Sequence, residues 1–375
     1  MKYFGFYCVL GFCLILNVAR AEVEFDLKMF GLYEVKGDSL LIGNLTQQPY
    51  PIGINKLMLA LITLEDIRSN SLDWNNAILT SKDTNFGNKP LLYIPEKTRL
   101  TTQDLLGLLF LSCANNVAQA LSTLIDKDKS KLITRMNQRA KQLGMVNTKF
   151  NDIEGATDGN STTINDITIL ARYIYMNFPL NRYFYNKKNV KYAGLRFSNT
   201  NGMLWKNNGV DGMLSCATIE NKRLLIATTR NETSIFMLVA FGDQSYDIFL
   251  RDATELLDEA VRNFYTYQLF AKGEVMRTIP IYGGKRKSVN LGPNQDIYYT
   301  VQNDEHCCKA SNITVSLSYP KYLRSPVETD SQQGIISLRL PDRELKQYPL
   351  TVSESIKNGN ILSRMSDMIK LAFTF

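Results

Sequence analysis

No internal repeat and no low-complexity tract is found in this chain, which sets repeat architectures aside. Basic residues are spread over its length without a block or interleaved aromatics. The net charge of +7, from 43 Lys+Arg against 36 Asp+Glu, is therefore a poor argument for nucleic acid. It suits an anionic surface such as a membrane or a cell wall better. Histidine occurs once, as His306 beside Cys307 and Cys308 in the loop Asn303 to Lys309. Three adjacent residues with no distant partner motif are a weak metal signal, so neither a metal nor a cofactor is expected. The apolar run Tyr3 to Val18 falls short of the roughly 20 residues of a membrane span. With one early cation, Lys2, and Ala19-Arg20-Ala21 before Glu22, residues 1–21 read as a cleaved secretory signal rather than an uncleaved anchor. The mature chain then enters an oxidising space with Cys113, Cys216, Cys307 and Cys308, an even number but too few for a disulfide framework.

The chain has 375 residues, 45% of them apolar, enough for a large core and more than one domain. From Ile54 to Ile67 the residues are apolar almost all round, as in a helix buried at the centre of a domain, and Lys56 stands at its start. Thr101-Thr102-Gln103-Asp104 offers a cap and an acidic first turn for the run Leu105 to Leu111. That run breaks at Ser112-Cys113-Ala114-Asn115-Asn116 and resumes at Val117, which marks a helix junction or a site lining a cleft. Leu132, Ile133, Met136, Ala140 and Leu143 repeat at helical spacing before Gly144, and another helix is expected from about Ile164 to Met176. The segment Trp74 to Pro95 reads as polar and turn-rich.

Arg223 to Thr229 and Ser234 to Phe241 are β-rich runs flanking Asn231-Glu232, which predicts a hairpin in the middle of a sheet. Helical periodicity returns from Ile248 to Phe264. After Tyr265 short β-runs are punctuated by Gly283-Gly284, Gly292-Pro293, Pro320, Gly334 and Pro341, so an all-β domain is placed at about 267–355. The tail, within 358–375, puts Ile361, Met365, Met368, Ile369 and Ala372 on one helical face. It is suited to lying in a membrane interface, in preference to docking on the β domain.

These pieces resemble a low-molecular-mass penicillin-binding protein, a D-alanyl-D-alanine carboxypeptidase of the peptidase S11 family. The resemblance is carried by Pro51 to Leu57 with Met58 and Leu64-Glu65, by Leu105 to Asn116, by Leu143 to Phe150, by Asn201-Gly202-Met203-Leu204-Trp205 with Val210-Asp211-Gly212-Met213, and by the hairpin, β domain and tail. It implies an α+β fold: a serine β-lactamase/transpeptidase-like domain over 22–266, with helices around a central antiparallel sheet. A small β domain and a C-terminal amphipathic helix follow.

The resemblance implies three motifs around one cleft. The first, Ser-x-x-Lys, supplies a nucleophilic serine and a lysine that must be neutral to accept its proton. Here Lys56 remains and Gly53 replaces the serine. The second, Ser-x-Asn, keeps Asn115 and puts Cys113 at the serine position, since reading Ser112 as the serine would lose the amide. The third, Lys-Thr-Gly, becomes Leu214-Ser215-Cys216, with Leu214 removing the cation and Cys216 adding bulk where a ligand strand would pass. Cys113 and Cys216 are expected as two buried free thiols, with a disulfide closing the cleft as the alternative, provided the Cα atoms lie about 4.4 to 6.8 Å apart. Glu154-Gly155 and Asp158 form a polar turn near the cleft rim with no spacing that suggests catalysis.

The expected function is that of a carboxypeptidase homologue without the family's reaction, acting in peptidoglycan binding, regulation or scaffolding. Its expected partners are a peptidoglycan stem peptide or an active envelope enzyme, and the bacterial inner-membrane surface from the periplasmic side through 358–375. The alternative is an enzyme of altered chemistry that still trims stem peptides, using Cys113 or a water held by Lys56 and Asn115.

Overall fold

The computed structural model describes residues 26–372, apart from 28, 38, 46–51, 82–89, 193, 207–208, 219, 303–312 and 340–344. The expected signal segment and the His306-Cys307-Cys308 loop lie outside the described residues.

The chain opens with β1 (Met29–Glu34) and β2 (Ser39–Asn44), then α1 (Ile54–Arg68), the short strands β3 (Ala77–Leu79) and β4 (Arg99–Thr101), and α2 (Thr102–Ser112). Next come α3 (Asn115–Ile125), α4 (Lys129–Gln142), α5 (Ile164–Asn177) and a single-turn α6 (Arg182–Tyr185). A hairpin of β5 (Asn189–Tyr192) and β6 (Leu195–Ser198) precedes β7 (Gly212–Ala217), β8 (Arg223–Arg230), β9 (Ile235–Gly242) and α7 (Tyr246–Asn263). Five strands form one antiparallel sheet in the order β2-β1-β9-β8-β7, so the β8–β9 hairpin sits inside the sheet as its sequence predicts.

Strand periodicity divides the core between the two faces of this sheet. Met237, Val239 and Phe241 of β9 and Leu224 and Ile226 of β8 face a cluster with the helices α1 to α5. Phe236, Leu238 and Ala240, with Leu225 and Ala227, face α7 instead. Helix α1 is buried from Ile54 to Leu64 because sheet and helices enclose it on all sides, which explains why it is apolar all round. Arg139 grips Glu65 with both Nε and Nη2, and Arg135 pairs with Asp66, so α4 fixes the far end of α1. At α2, Thr101 and Asp104 complete a reciprocal capping box, as the sequence leads one to expect. Patterning alone does not mark β3, which lies inside the supposedly turn-rich stretch, or the β5–β6 hairpin; both are short pairs held mainly by tertiary contacts.

A second β-rich unit has its own core of Ile279, Ile281, Leu291, Ile336, Leu350 and neighbours. Strand β10 (Phe264–Phe270) starts directly at the end of α7 and pairs with β13 (Ile297–Gln302). The other strands are β11 (Arg277–Tyr282), β12 (Ser288–Pro293), β14 (Thr314–Ser318), β15 (Leu323–Arg324), β16 (Gln332–Arg339) and β17 (Leu345–Val352). They form a six-stranded sheet in the order β14-β16-β17-β12-β11-β15. Helix α8 (Ile361–Ala372) closes the described chain. No helix among the described residues is long and apolar enough to cross a membrane.

Candidate functional site

Three elements converge where the sequence motifs predict a cleft: the start of α1, the junction of α2 and α3, and strand β7. Gly53 caps α1 in the left-handed region, at φ 74°, and its carbonyl accepts the first helical bond from Leu57 N–H at 3.0 Å. A residue with a side chain would be strained there, so glycine suits the backbone as well as the space. Cys113 ends α2 at φ 51°, also left-handed, and its N–H donates to Leu109 O at 2.9 Å. Asn115 then opens α3, its N–H bonding Pro90 O at 2.8 Å.

Cys113 and Cys216 are joined by a disulfide, with Cα atoms 5.4 Å apart. The expectation of two free thiols is thereby corrected. The sequence shows only how few cysteines there are, whereas the fold sets the end of α2 beside β7 at bonding distance. A Cβ built on residue 53 would stand 2.5 Å from the Cys216 sulfur and 3.2 Å from both Cys216 Cβ and Leu224 Cδ2. The disulfide thus occupies the volume that a side chain at 53 would need.

The seven residues named from the sequence motifs are all buried, and among them Cys216 lies against Gly53 and is bonded to Cys113. Lys56 is 3% exposed, Cys113 0% and Ser215 8%, with Gly53, Asn115, Leu214 and Cys216 equally enclosed. Ser215 keeps its hydroxyl, but its carbonyl is taken by the Thr200 hydroxyl at 2.8 Å. Thr200 also bonds Leu111 O, so this one side chain ties α2 to β7 alongside the disulfide.

Burial pushes the Lys56 amine down to about 8, against the opposing attraction of Glu154 and then Asp152. These carboxylates are delivered by a loop folded around Asp152. The Asn55 amide donates to Asp152 O at 2.6 Å and to Asn160 Oδ1 at 2.9 Å, which seats the loop on the first turn of α1. Although burial raises the Asp152 carboxyl, hydrogen bonds from the Thr157 hydroxyl, the Gly155 and Thr157 amides and Asn160 hold it below the usual range. Glu154 accepts from Gln119 of α3. Sequence spacing misses Asp152, and assigns Glu154 to a polar turn without a role. The available signal is the succession Asp152, Gly155, Thr157 and Asn160, which suits a loop wrapped on one carboxylate.

Chemically, the constellation offers one buried amine facing two carboxylates, with no hydroxyl at 53 and no cation at 214. A disulfide sulfur offers no thiolate, so the route through Cys113 as nucleophile lacks its reactive form.

Comparison with known proteins bears on the same elements. A family profile described as D-alanyl-D-alanine carboxypeptidase matches residues 34–245, and one for the C-terminal domain of penicillin-binding protein 5 matches residues 264–358. The D-alanyl-D-alanine carboxypeptidase DacD of Escherichia coli is 26% identical over 88% of this chain and 87% of that protein. DacC of the same organism is 23% identical over 90% of this chain and 86% of its own length. In three dimensions, penicillin-binding protein 5 of Haemophilus influenzae superposes with a TM-score of 0.78 at 20% identity, covering 89% of this chain and 98% of that one. The α+β fold with a C-terminal β domain is therefore shared.

Proposed function

Since the chain belongs to the D-alanyl-D-alanine carboxypeptidase family, we propose that it is a cell-envelope homologue that has given up the family's acyl-serine reaction and acts by binding, as a regulator or scaffold on peptidoglycan. The support is the close packing of residue 53 against the Cys113–Cys216 disulfide. The place where an acyl-serine would form is filled by sulfur, and the lysine that would activate it is buried near two carboxylates, Glu154 and Asp152. No single substitution restores the reaction, because hydroxyl, space and anchoring cation are missing separately.

The test is D-alanine release from a stem pentapeptide, together with labelling by fluorescent penicillin, on the mature chain before and after reduction. Neither signal is expected in either state. Turnover that disappears in Lys56→Ala would overturn the reading and reinstate an enzyme of altered chemistry.

The tail belongs to the same reading as a membrane-resting helix. Asp367 is buried and accepts from Gly283 N–H at 2.8 Å and from Lys287 Nζ at 3.0 Å, so α8 meets the β domain through a charged residue. Its apolar Ile361, Leu362, Met365 and Ile369 are exposed at 58–78%. A helix that docks by its polar side and presents its apolar side outward suits an interfacial position better than burial in its own β domain. Binding of the mature chain to phosphatidylglycerol-containing vesicles, lost when 358–375 is deleted, is the expected result; unchanged binding would remove the assignment.

A further inference from the structure

The stretch 179–198 departs from the even charge distribution of the rest of the chain. It carries Arg182, Lys187, Lys188, Lys191 and Arg196 without one Asp or Glu, interleaved with Tyr183, Phe184, Tyr185, Tyr192 and Phe197. Averaging over 375 residues hides this cluster, so the basic residues are not evenly spread: the chain does hold one basic block with interleaved aromatics. Folded as α6 and the β5–β6 hairpin, it forms one wall of an open groove of about 650 Å3 whose other wall is α2 at Gln103, Asp104, Gly107 and Leu108. We infer that this groove is a second binding site, for a carboxylate-bearing glycan strand.

Charge and shape both favour that ligand. Lys187, Lys188 and Lys191 line the groove, and among the described residues none of the three forms an ion pair. The one carboxylate in the lining, Asp104, is already committed to the Thr101 N–H at 2.9 Å in the α2 capping box. The aromatic wall is braced: Phe184 stacks on Trp74 with centroids 5.6 Å apart, and Lys187 Nζ sits 3.4 Å from the centroid of the Tyr183 ring. Tyr183 is 54% exposed, leaving ring surface for a ligand. Rings with an apolar face and a polar rim beside cations without a carboxylate partner suit a sugar chain whose C–H faces stack while its carboxylates meet lysines. A flat lipid surface cannot enter such a concavity.

The groove uses the first half of α2, whereas the closed cleft uses the residue that caps its far end, Cys113. Binding here therefore requires no opening of the disulfide. The choice of a wall glycan rests on the envelope setting proposed above; the groove and its charge do not.

The test is titration of the mature chain with stem-peptide-free glycan strands of alternating N-acetylglucosamine and N-acetylmuramate, whose lactyl groups carry the carboxylates. Neutral N-acetylglucosamine oligomers, polyglutamate and a single-stranded oligonucleotide serve as comparison ligands. The variant Lys187→Gln/Lys188→Gln/Lys191→Gln should lose about tenfold or more in affinity and most of the salt dependence. Tyr183→Ala should lose severalfold, with melting temperatures unchanged in both. Lys56→Ala should bind as the parent does, which separates this site from the fate of the cleft. Parental affinity in the triple variant would overturn the inference. So would polyglutamate or the oligonucleotide binding as tightly as the glycan, since that would reduce the groove to a charge patch.

Discussion

Residue 53 and the sulfur of Cys216 compete for one volume: a Cβ on the first would lie 2.5 Å from the second. A nucleophile at 53 and a disulfide at 216 are therefore mutually exclusive on this backbone. The glycine is the partner that the disulfide requires, rather than an isolated loss.

Gly53→Ser alone should destabilise the chain by about 2–4 kcal/mol, combining overpacking with a side chain in the left-handed region. The same change in a Cys113→Ala/Cys216→Ala background should cost markedly less. A double-mutant cycle by urea unfolding measures the difference. Equal costs in the two backgrounds would contradict the shared volume.

Removing the disulfide should lower stability by about 3–5 kcal/mol, since it closes a loop spanning 103 residues of sequence separation. Thiol titration of the denatured, unreduced mature chain should find no more than Cys307 and Cys308. Reaction of Cys113 or Cys216 under those conditions would show the bond to be absent.

Lys56 gives a pH signature of defined sign. Its amine is held at about 8 in the folded chain against 10.5 unfolded, so between these values the unfolded state binds more protons and stability rises with pH. The penalty of burying the charge is fully present below pH 8 and gone above 10.5. Lys56→Met should therefore stabilise the chain at pH 7, by up to about 3 kcal/mol, with the gain shrinking at pH 10. Urea unfolding at the two pH values checks this; a variant less stable than the parent at pH 7 would contradict it.

On α8, Met365→Ser and Ile369→Ser should weaken vesicle binding while leaving the melting temperature unchanged, because both side chains point outward. Asp367→Ala should instead loosen the helix, exposing the amides of 361–372 to hydrogen exchange, at a cost of about 1–3 kcal/mol for the Gly283 amide that loses its acceptor. Slow exchange retained in that variant would place the docking elsewhere.

Local signals were legible in the sequence wherever one element carries them. The cap at Thr101 and Asp104, the all-round burial of α1 and the hairpin around Asn231 all follow from patterns a few residues long, whereas β8 and β9 read as near-continuous apolar runs whose division between two faces only the sheet reveals. What escaped depends on residues brought together from afar. The Asp152 loop reaches Lys56 only because Asn55 seats it, and the Cys113–Cys216 bond exists only because α2 ends against β7. The cationic groove escaped for a different reason: a net charge over the whole chain hides a local cluster, and the three lysines that line the groove fall within 179–198.

The tie between α2 and β7 has a further consequence at the sheet's margin. Strand β7 is the last in the order β2-β1-β9-β8-β7, and an edge strand of apolar sequence is a template for pairing with any extended chain, a neighbouring copy included. An open cleft keeps that edge bare so that a peptide can lie along it. In this chain Cys216 is bolted across to α2, and the Ser215 carbonyl is occupied by Thr200. With that carbonyl taken, β7 offers one acceptor fewer to an added strand, so the contact that ties it to α2 also makes its edge a poorer template for self-association.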